Sequence, residues 1–565
     1  MSVLGKKWSL MDSQDRVHRP ILDVLLENRG LKTKEEKEAF LSLEGEFHDP
    51  YEMKDMQKSV DRIHRAIENK DRIMIFGDYD VDGLTSAAIL FHALKDLGAE
   101  HSIRLPNREK DGYGLNNKFI DEFEKLNIKL IITVDCGISC ADEITYAKEK
   151  GIETIITDHH QIPEKFPKDA YSINHPKQED CSYPFDELTG AGVALKLAHA
   201  LYQSKHSKEE SLDKLPRLLE LAALGTLADL GRVQGENRLI VRKGLQNLSK
   251  TEWPGLKVLK ELTGAGKGNN SQINTWTVGY QLAPRLNAAG RIGDPTTALH
   301  LLIGSDPTTL RQYGKELETL NDERKKMTFD AYAQAKEIFE PLEARGGLPY
   351  ILIAHHPEWH VGILGLTASR LAEQFGRPAI VMQDLGETFV GSARSIEAFH
   401  ILEAIAQAKE HLITFGGHKE AAGFTVKKEN LLKFKKSVEK HAKKVLFKKD
   451  LRPTLNLECE LQPEDLNNGL IKDIHKLRPF GIRNQRPLFK LSHVKPLYPK
   501  TVGRNQDHLK FDAEVGGQQI PAIAFRLGKH EQLLKNRSEI SLACHLEINE
   551  WNGIKKLQLE VVDFA

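Results

Sequence analysis

Apolar positions along this chain follow two alternating periods. Over residues 54–70, Met56, Val60, Ile63 and Ile67 keep helical spacing, and the run Arg72-Ile-Met-Ile-Phe76 that follows is short enough for a buried strand. An Asp/Gly turn then leads into an apolar helix over about 84–97. Strand-like runs return at 103–105, 130–134, 154–157 and 171–174, with helical segments between several of them. That alternation predicts βαβ units and a parallel sheet. From about Phe185 to Leu302 the pattern is mostly helical.

A long helix is expected over 307–339, where Leu310, Tyr313, Leu317, Leu320, Met327 and Ile338 fall near one stripe of an otherwise charged segment. Such a helix suits a connector between domains. A second αβ segment begins at Tyr350-Ile-Leu-Ile-Ala354 and runs to about Val426. Beyond Leu451 the period drops to two in Leu509/Phe511/Ala513/Val515, Ile540/Leu542/Cys544/Leu546/Ile548 and Leu557/Leu559/Val561, as in a small barrel or sandwich. The expected organisation is therefore a lead segment (1–50), an α/β parallel-sheet domain (51–305), a connecting helix (306–345), a second α/β domain (346–450) and a C-terminal β domain (451–565). There is no internal repeat and no low-complexity tract.

Composition narrows the class. The 565 residues suit about three or four domains, and 40% hydrophobic with 28% charged residues excludes a wholly disordered chain. The longest apolar runs, such as 351–354, fall far short of the ~20 residues that span a bilayer, so no membrane is expected. The first 20 residues contain no apolar h-region, so nothing suggests export. Cys136, Cys140, Cys181, Cys459 and Cys544 form no CxxC pair, which argues against a disulfide framework or a thiolate zinc site and for a reducing, cytoplasmic setting. The 80 Lys+Arg balance the 80 Asp+Glu, a neutrality that on its face argues against a nucleic-acid partner.

The candidate chemistry lies just after the apolar strands. Asp78, Asp80 and Asp82 stand in Gly77-Asp-Tyr-Asp-Val-Asp-Gly83, Asp135 closes Ile131-Ile-Thr-Val-Asp135, and Asp158, His159 and His160 close Thr154-Ile-Ile-Thr-Asp-His-His160. In an open parallel sheet the carboxyl ends of the strands form one edge, where ligand sites collect. Any one of these Asp suits a helix N-cap or a turn. Three strand ends carrying them together suggest a shared site. Two like charges ~4 Å apart repel by about 4 kcal/mol at an effective dielectric of 20, so such a cluster needs protons or cations among its members. Carboxylates with one or two imidazoles suit Mn²⁺ or Mg²⁺, and shared carboxylates suit a two-metal hydrolase.

The same residues resemble the DHH phosphoesterase superfamily: Asp80-Val-Asp82-Gly-Leu-Thr-Ser86, Val134-Asp135, Asp158-His159-His160 and Gly225-Thr-Leu-Ala-Asp229. Gly416-Gly-His-Lys-Glu-Ala-Ala-Gly423 resembles the signature of the associated DHHA1 domain. With Pro284-Arg-Leu-Asn-Ala-Ala-Gly-Arg291, Trp359-His-Val-Gly-Ile363 and the C-terminal β segment, which resembles an OB fold, the combination is similar to the RecJ family of bacterial single-strand-specific exonucleases. The similarity runs from about Arg19 to the C-terminus. It implies a DHH domain joined by a long helix to a DHHA1 domain and an OB-like barrel. Asp80, Asp82, Asp135, His159 and Asp229 would be metal ligands, Asp135 the bridge between two divalent cations, and His160 the group facing the scissile phosphate. Many superfamily members carry a His four residues before the first motif Asp. Here that position is Phe76, so another ligand is expected for that ion, water or Asp78.

For the substrate, the resemblance places Arg108 toward phosphate and Tyr113 on a base, with Arg285, Asn287 and Arg291 lining the same channel. Ser392 and Arg394 would grip a terminal 5′-phosphate, and His360 and His418 sit in Gly-flanked segments where main-chain N–H groups approach anions closely. Residues 427–450 carry ten Lys against Glu429, Glu439 and Asp450, a local net charge of +7. They form either a solvated helix face or an electrostatic track for a strand. Overall neutrality thus averages an acidic pit against a basic track. Gly264-Ala-Gly-Lys-Gly268 matches a phosphate loop only in part, because Glu261 occupies the first Gly position and Gly268 follows the Lys, so no nucleotide cofactor is expected.

The reading is a metal-dependent exonuclease that hydrolyses single-stranded DNA from the 5′ end to 5′-mononucleotides in repair and recombination. The resemblance implies a single-strand-binding protein and a RecQ-type helicase as partners. The alternatives are a DHH phosphodiesterase for short oligoribonucleotides or cyclic dinucleotides, which would lack the connector and the terminal β domain, and a catalytically dead scaffold, which would lack metal ligands.

Overall fold

The computed structural model describes residues 2–11, 19–42, 45–112, 114–266, 272–551 and 554–565. Its contacts divide the chain into two compact units, Glu46–Lys449 and a second that joins Met1–Gly45 to Asp450–Ala565.

In the first unit, β1 (Arg72–Gly77), β2 (His101–Arg104), β3 (Ile128–Val134), β4 (Glu153–Thr157) and β5 (Ser172–Asn174) form an all-parallel sheet in the order β2-β1-β3-β4-β5. Its central strands read as unbroken apolar runs because both faces are covered. Ile73, Ile75, Leu130, Ile132 and Val134 pack into one core with α1 (Val81–Asp96), α2 (Gly190–Gln203) and α3 (Leu215–Ala228). Met74, Phe76 and Ile131 point to the opposite core. Phe76 is fully buried there, 5.2 Å from the Phe119 ring and 6.4 Å from that of Phe123. This residue therefore belongs to the packing behind the sheet.

The rest of the unit follows in chain order. A π-helix (Thr277–Leu282) runs into α4 (Ala283–Ile292), and α5 (Pro307–Ala344) is the expected connector. Its 38 residues span about 57 Å, with Asp306 capping its start. A mixed sheet then orders β6 (Leu352–His356), β7 (Ala379–Asp384), β8 (Thr388–Arg394), β9 (Leu412–Gly417) and β10 (Ala421–Lys427) as β9-β10-β8-β7-β6, with α6 (Leu364–Phe375) between β6 and β7. The Lys-rich segment forms α7 (Leu431–Leu446), which buries Leu431, Phe434, Val438, Ala442 and Leu446.

In the second unit, strands Phe489–Val502, His508–Val515, Gln518–Ala524, Ile554–Phe564 and Ile540–Trp551 pair in that order, and the last pairs back on the first. The five strands close into a ring, which leaves no free barrel edge. Of the lead segment expected over 1–50, the described residues up to Gly45 belong to this unit. Strand Lys7–Leu10 pairs in parallel with Thr454–Leu457, and Ser2 Oγ, the Leu4 N–H and Trp8 Nε1 all donate to the fully buried Asp563 carboxylate. A pairing between chain ends leaves no local sequence signal.

All five cysteines are free, and among the described residues no helix is long and apolar enough to cross a membrane. Gly264 stops a helix with φ 68°, while Lys267 and Gly268 of the partial phosphate-loop match lie outside the described residues. Trp8→Phe keeps the ring but strips one donor, 2.9 Å away, from buried Asp563. It is expected to cost the second unit about 1–3 kcal/mol, read as a lower denaturant midpoint.

Candidate metal centre and phosphate pocket

Four elements deliver the acidic residues. Asp78, Asp80 and Asp82 follow β1, and Asp80 is also the N-cap of α1, accepting from the N–H groups of Asp82 (2.9 Å) and Gly83 (3.1 Å). Asp135 follows β3 with φ 58°, a left-handed conformation that Asp tolerates better than most residues and that is common at strained functional positions. Asp158, His159 and His160 follow β4. Asp229 ends α3 at the mouth of the pit, its side chain 35% exposed. Two glycines make the room. A Cβ on Gly190 would come within 2.5 Å of the Asp135 side chain, and one on Gly225 within 2.5 Å of Asp82 Oδ1. The backbones of α2 and α3 can close on the carboxylates only without side chains there.

The ligand atoms form overlapping trios, each within 4.8 Å: Asp78, Asp80 and Asp135; Asp82, His159 and Asp229; Asp135, His159 and His160. His159 Nε2 lies 3.1 Å from Asp135 Oδ1 and 3.8 Å from both Asp82 Oδ2 and Asp229 Oδ2. Asp78 thus stands where the sequence left a ligand open, while Phe76 faces the other side of the sheet. The donors fit a divalent ion. Asp135 Oδ1 and His159 Nε2 are both buried without a hydrogen-bond partner. Their separation is close to the ~3.0 Å edge of an octahedron with ~2.1 Å bonds.

The electrostatics point the same way. Burial and the charge of Asp80 push the Asp78 carboxyl up to about 8 and the Asp82 carboxyl up to about 7. Burial, reinforced by Asp82 and Asp80, drives Asp135 well above the usual carboxylate range. Burial and neighbouring His160 lower His159 to about 3, so it is neutral and its lone pair is free for a cation. His160 behaves oppositely. Burial disfavours its charged form, but the Asp158 hydrogen bond (Nδ1 to Oδ1, 2.7 Å) and the charges of Asp158, Asp229 and Asp78 raise it to about 9. Asp158 also resists burial: His160, His159 and the Ile138 N–H together hold it below its ordinary value. It orients the pair, a role not assigned to it from sequence.

The expected substrate residues divide. The Arg108 guanidinium lies over the Tyr79 ring, 4.5 Å from its centroid, and its buried Nε has no partner. Arg291 is lowered to about 10 by burial and by the charges of Arg108, Arg324 and Arg394, and Arg394 is lowered by burial and Arg108. Arg108, Arg291 and Arg394 crowd together with no carboxylate in ion-pair range among the described residues, a candidate anion pocket. Ser392 Oγ accepts from Arg394 at 3.2 Å, and His418 is near enough to Arg394 and His160 for their charges to lower it after burial. Asn287 Oδ1 instead accepts from the Val81 N–H at 3.2 Å, bracing the Asp80–Asp82 turn. Arg285 is engaged by Glu318 of α5 and by the Gln281 carbonyl, and His360 pairs with Glu109 at 2.6 Å while capping Gly362. These three act on protein groups. Tyr113 lies outside the described residues.

Because raised carboxyl groups hold protons in the folded chain that the unfolded chain releases, the contribution of Asp78 and Asp82 to metal-free stability falls as pH rises from about 4 through 8. Asp135→Asn removes one of these charges. At pH 8 the metal-free variant is expected to melt higher than the wild type and to lose the upward shift that Mn²⁺ gives the wild type. Thermal melts with and without Mn²⁺ check both.

Sequence models of known domains match in the same order as these structures. The model of the DHH family, N-terminal domain, matches residues 72–226, the DHHA1 domain 348–444 and the RecJ OB domain 457–563. Single-stranded-DNA-specific exonuclease RecJ of Bacillus subtilis is 38% identical over 97% of this chain and 68% of its own length. Crystal structures of RecJ from Thermus thermophilus superpose with a TM-score of 0.82 in the Mn²⁺ complex (28% identity, 99% of this chain, 79% of that one) and 0.75 in the Mg²⁺ complex (26% identity, 99% and 78%). With three domains of one architecture matched in order and a carboxylate–imidazole pit at the strand ends, the chain belongs to the RecJ family of DHH phosphoesterases.

Proposed function

We propose that this protein is a metal-dependent exonuclease that hydrolyses single-stranded DNA from its 5′ end, releasing 5′-mononucleotides. The observation that carries the reading is the juxtaposition, within one unit, of a buried carboxylate–imidazole pit with a pocket of guanidiniums. Bound divalent ions would supply the Lewis acidity that activates water and offsets charge at phosphorus. Asp78, Asp80, Asp82, Asp135, His159 and Asp229 are the residues proposed to hold them. His160, raised toward the imidazolium by Asp158, presents a donor to the charge that develops on the scissile phosphate.

The guanidiniums suit a terminal phosphate, and the family resemblance makes that phosphate the 5′ one. Arg108, Arg291 and Arg394, with Ser392, suit a terminal phosphate better than a bridging one, because a terminal group offers more oxygens to forked donors. A strand so anchored by its 5′-phosphate places its first internucleotide bond at the pit. The Lys face of α7 and the closed barrel, with exposed Tyr498 and Phe525, supply the charge and stacking that single strands require. A reducing cytoplasmic setting, and repair and recombination work beside a single-strand-binding protein and a RecQ-type helicase, belong to the same reading.

With Mn²⁺ and a long single strand, a 5′ label is expected to appear at once as mononucleotide, while a 3′ label stays in long products and duplex and RNA controls persist. First release of the 3′ label would overturn the reading. Asp135→Ala should lower turnover by more than about 100-fold, beyond what disturbing a metal's surroundings costs. Arg394→Ala should erase a preference for 5′-phosphorylated over 5′-hydroxyl strands of about 10–100-fold in kcat/KM, the worth of one charge-assisted hydrogen bond.

A further inference from the structure

We propose that His175 and Lys177 are positioning residues that grip the two carbonyls of the Asp158-His159-His160 turn and so aim both imidazoles. The proposal rests on the function proposed above and adds residues to its machinery. Asn174-His175-Pro176-Lys177 leaves the end of β5, beside β4. His175 is completely buried. Its Nδ1 accepts from the Lys177 N–H at 3.1 Å, which leaves the ring proton on Nε2, and Nε2 donates to the His160 carbonyl at 2.8 Å. Lys177 Nζ donates to the adjacent carbonyl, that of His159. Pro176 has no N–H to compete.

The opposite side of the same turn is already occupied. Asp158 Oδ1 accepts from the N–H groups of His159 at 2.7 Å and His160 at 3.1 Å. Both amides are thus held by the turn's own carboxylate and both carbonyls by the next strand's exit. With every polar backbone group of the two residues engaged, their peptide planes are fixed and with them the directions of their side chains. A buried histidine often satisfies a core carbonyl, and a lysine often lies along a surface. Neither habit explains why two residues spaced by a proline reach consecutive carbonyls of the one turn that presents two imidazoles to the pit.

The test separates reach from bulk. In His175→Asn the amide oxygen takes the place of Nδ1 and keeps the turn to residue 177, but nothing reaches the His160 carbonyl. In His175→Gln an amide N–H can reach it again. Mn²⁺ affinity is read from the electron paramagnetic resonance of the free ion, alongside steady-state kinetics and melting midpoints. His175→Asn and Lys177→Met are each expected to weaken Mn²⁺ affinity and kcat by about 10–100-fold, with KM for the strand little changed. His175→Gln and Lys177→Arg should recover most of the loss at no higher melting midpoint. Wild-type Mn²⁺ affinity and kcat in His175→Asn and Lys177→Met would overturn the proposal, as would losses that track the midpoint and resist rescue. If the wild type binds Mn²⁺ but hydrolyses no strand, the proposed function fails while the affinity ratios still report the brace.

Discussion

Carboxylates that cannot all be charged in one place set the terms for this structure. Asp78, Asp82 and Asp135 are buried beside one another and beside Asp80. At such separations each like-charged pair costs several kcal/mol unless protons or cations intervene. Without metal, burial first and the neighbouring Asp80 charge second favour the protonated forms, so the Asp78 and Asp82 carboxyls rise to about 8 and 7. Two divalent ions would replace those protons and turn the same repulsion into affinity. Neutral His159, with its unpartnered nitrogen 3.1 Å from an unpartnered Asp135 oxygen, is arranged for that exchange.

The fold holds the repulsive cluster together from behind. The parallel sheet brings the exits of β1, β3 and β4 to one edge, and apolar cores on both faces fix the strands that carry them. Helices α2 and α3 approach so closely at Gly190 and Gly225 that a methyl group at either would collide with a carboxylate. Around this rigid floor the polar contacts are specific. Asp158 sets His160, Asn287 braces the first Asp turn, and Arg285 and His360 are committed to Glu318 and Glu109. Arg108, Arg291 and Arg394 have no carboxylate in ion-pair range among the described residues, which is why they are the candidates to meet an anion.

Much of this was legible in the sequence, and the limits have physical causes. Strands and their terminal Asp residues could be read because a buried parallel strand is a continuous apolar run and its exit turn favours Asp. The connector could be read from its helical apolar spacing, although Ile338 of the expected stripe is exposed and Phe339 is buried instead, and the barrel from strict alternation. What escaped depends on contacts between distant positions. The pairing of residues 7–10 with 454–457, the salt bridge that occupies Arg285, and the grip of His175 and Lys177 on the histidine turn are set by tertiary approach. The Phe at position 76 looked like a missing ligand, yet its side chain belongs to the far face of the sheet, and Asp78 supplies a carboxylate on the near one.

The central claim is that two cations occupy this pit and share Asp135. Anomalous scattering at the manganese edge from Mn²⁺-loaded crystals tests it most directly. Two peaks are expected, one among Asp78, Asp80 and Asp135 and one among Asp82, His159, Asp229 and Asp135. A single peak, or two peaks with Asp135 bound to neither, would contradict it.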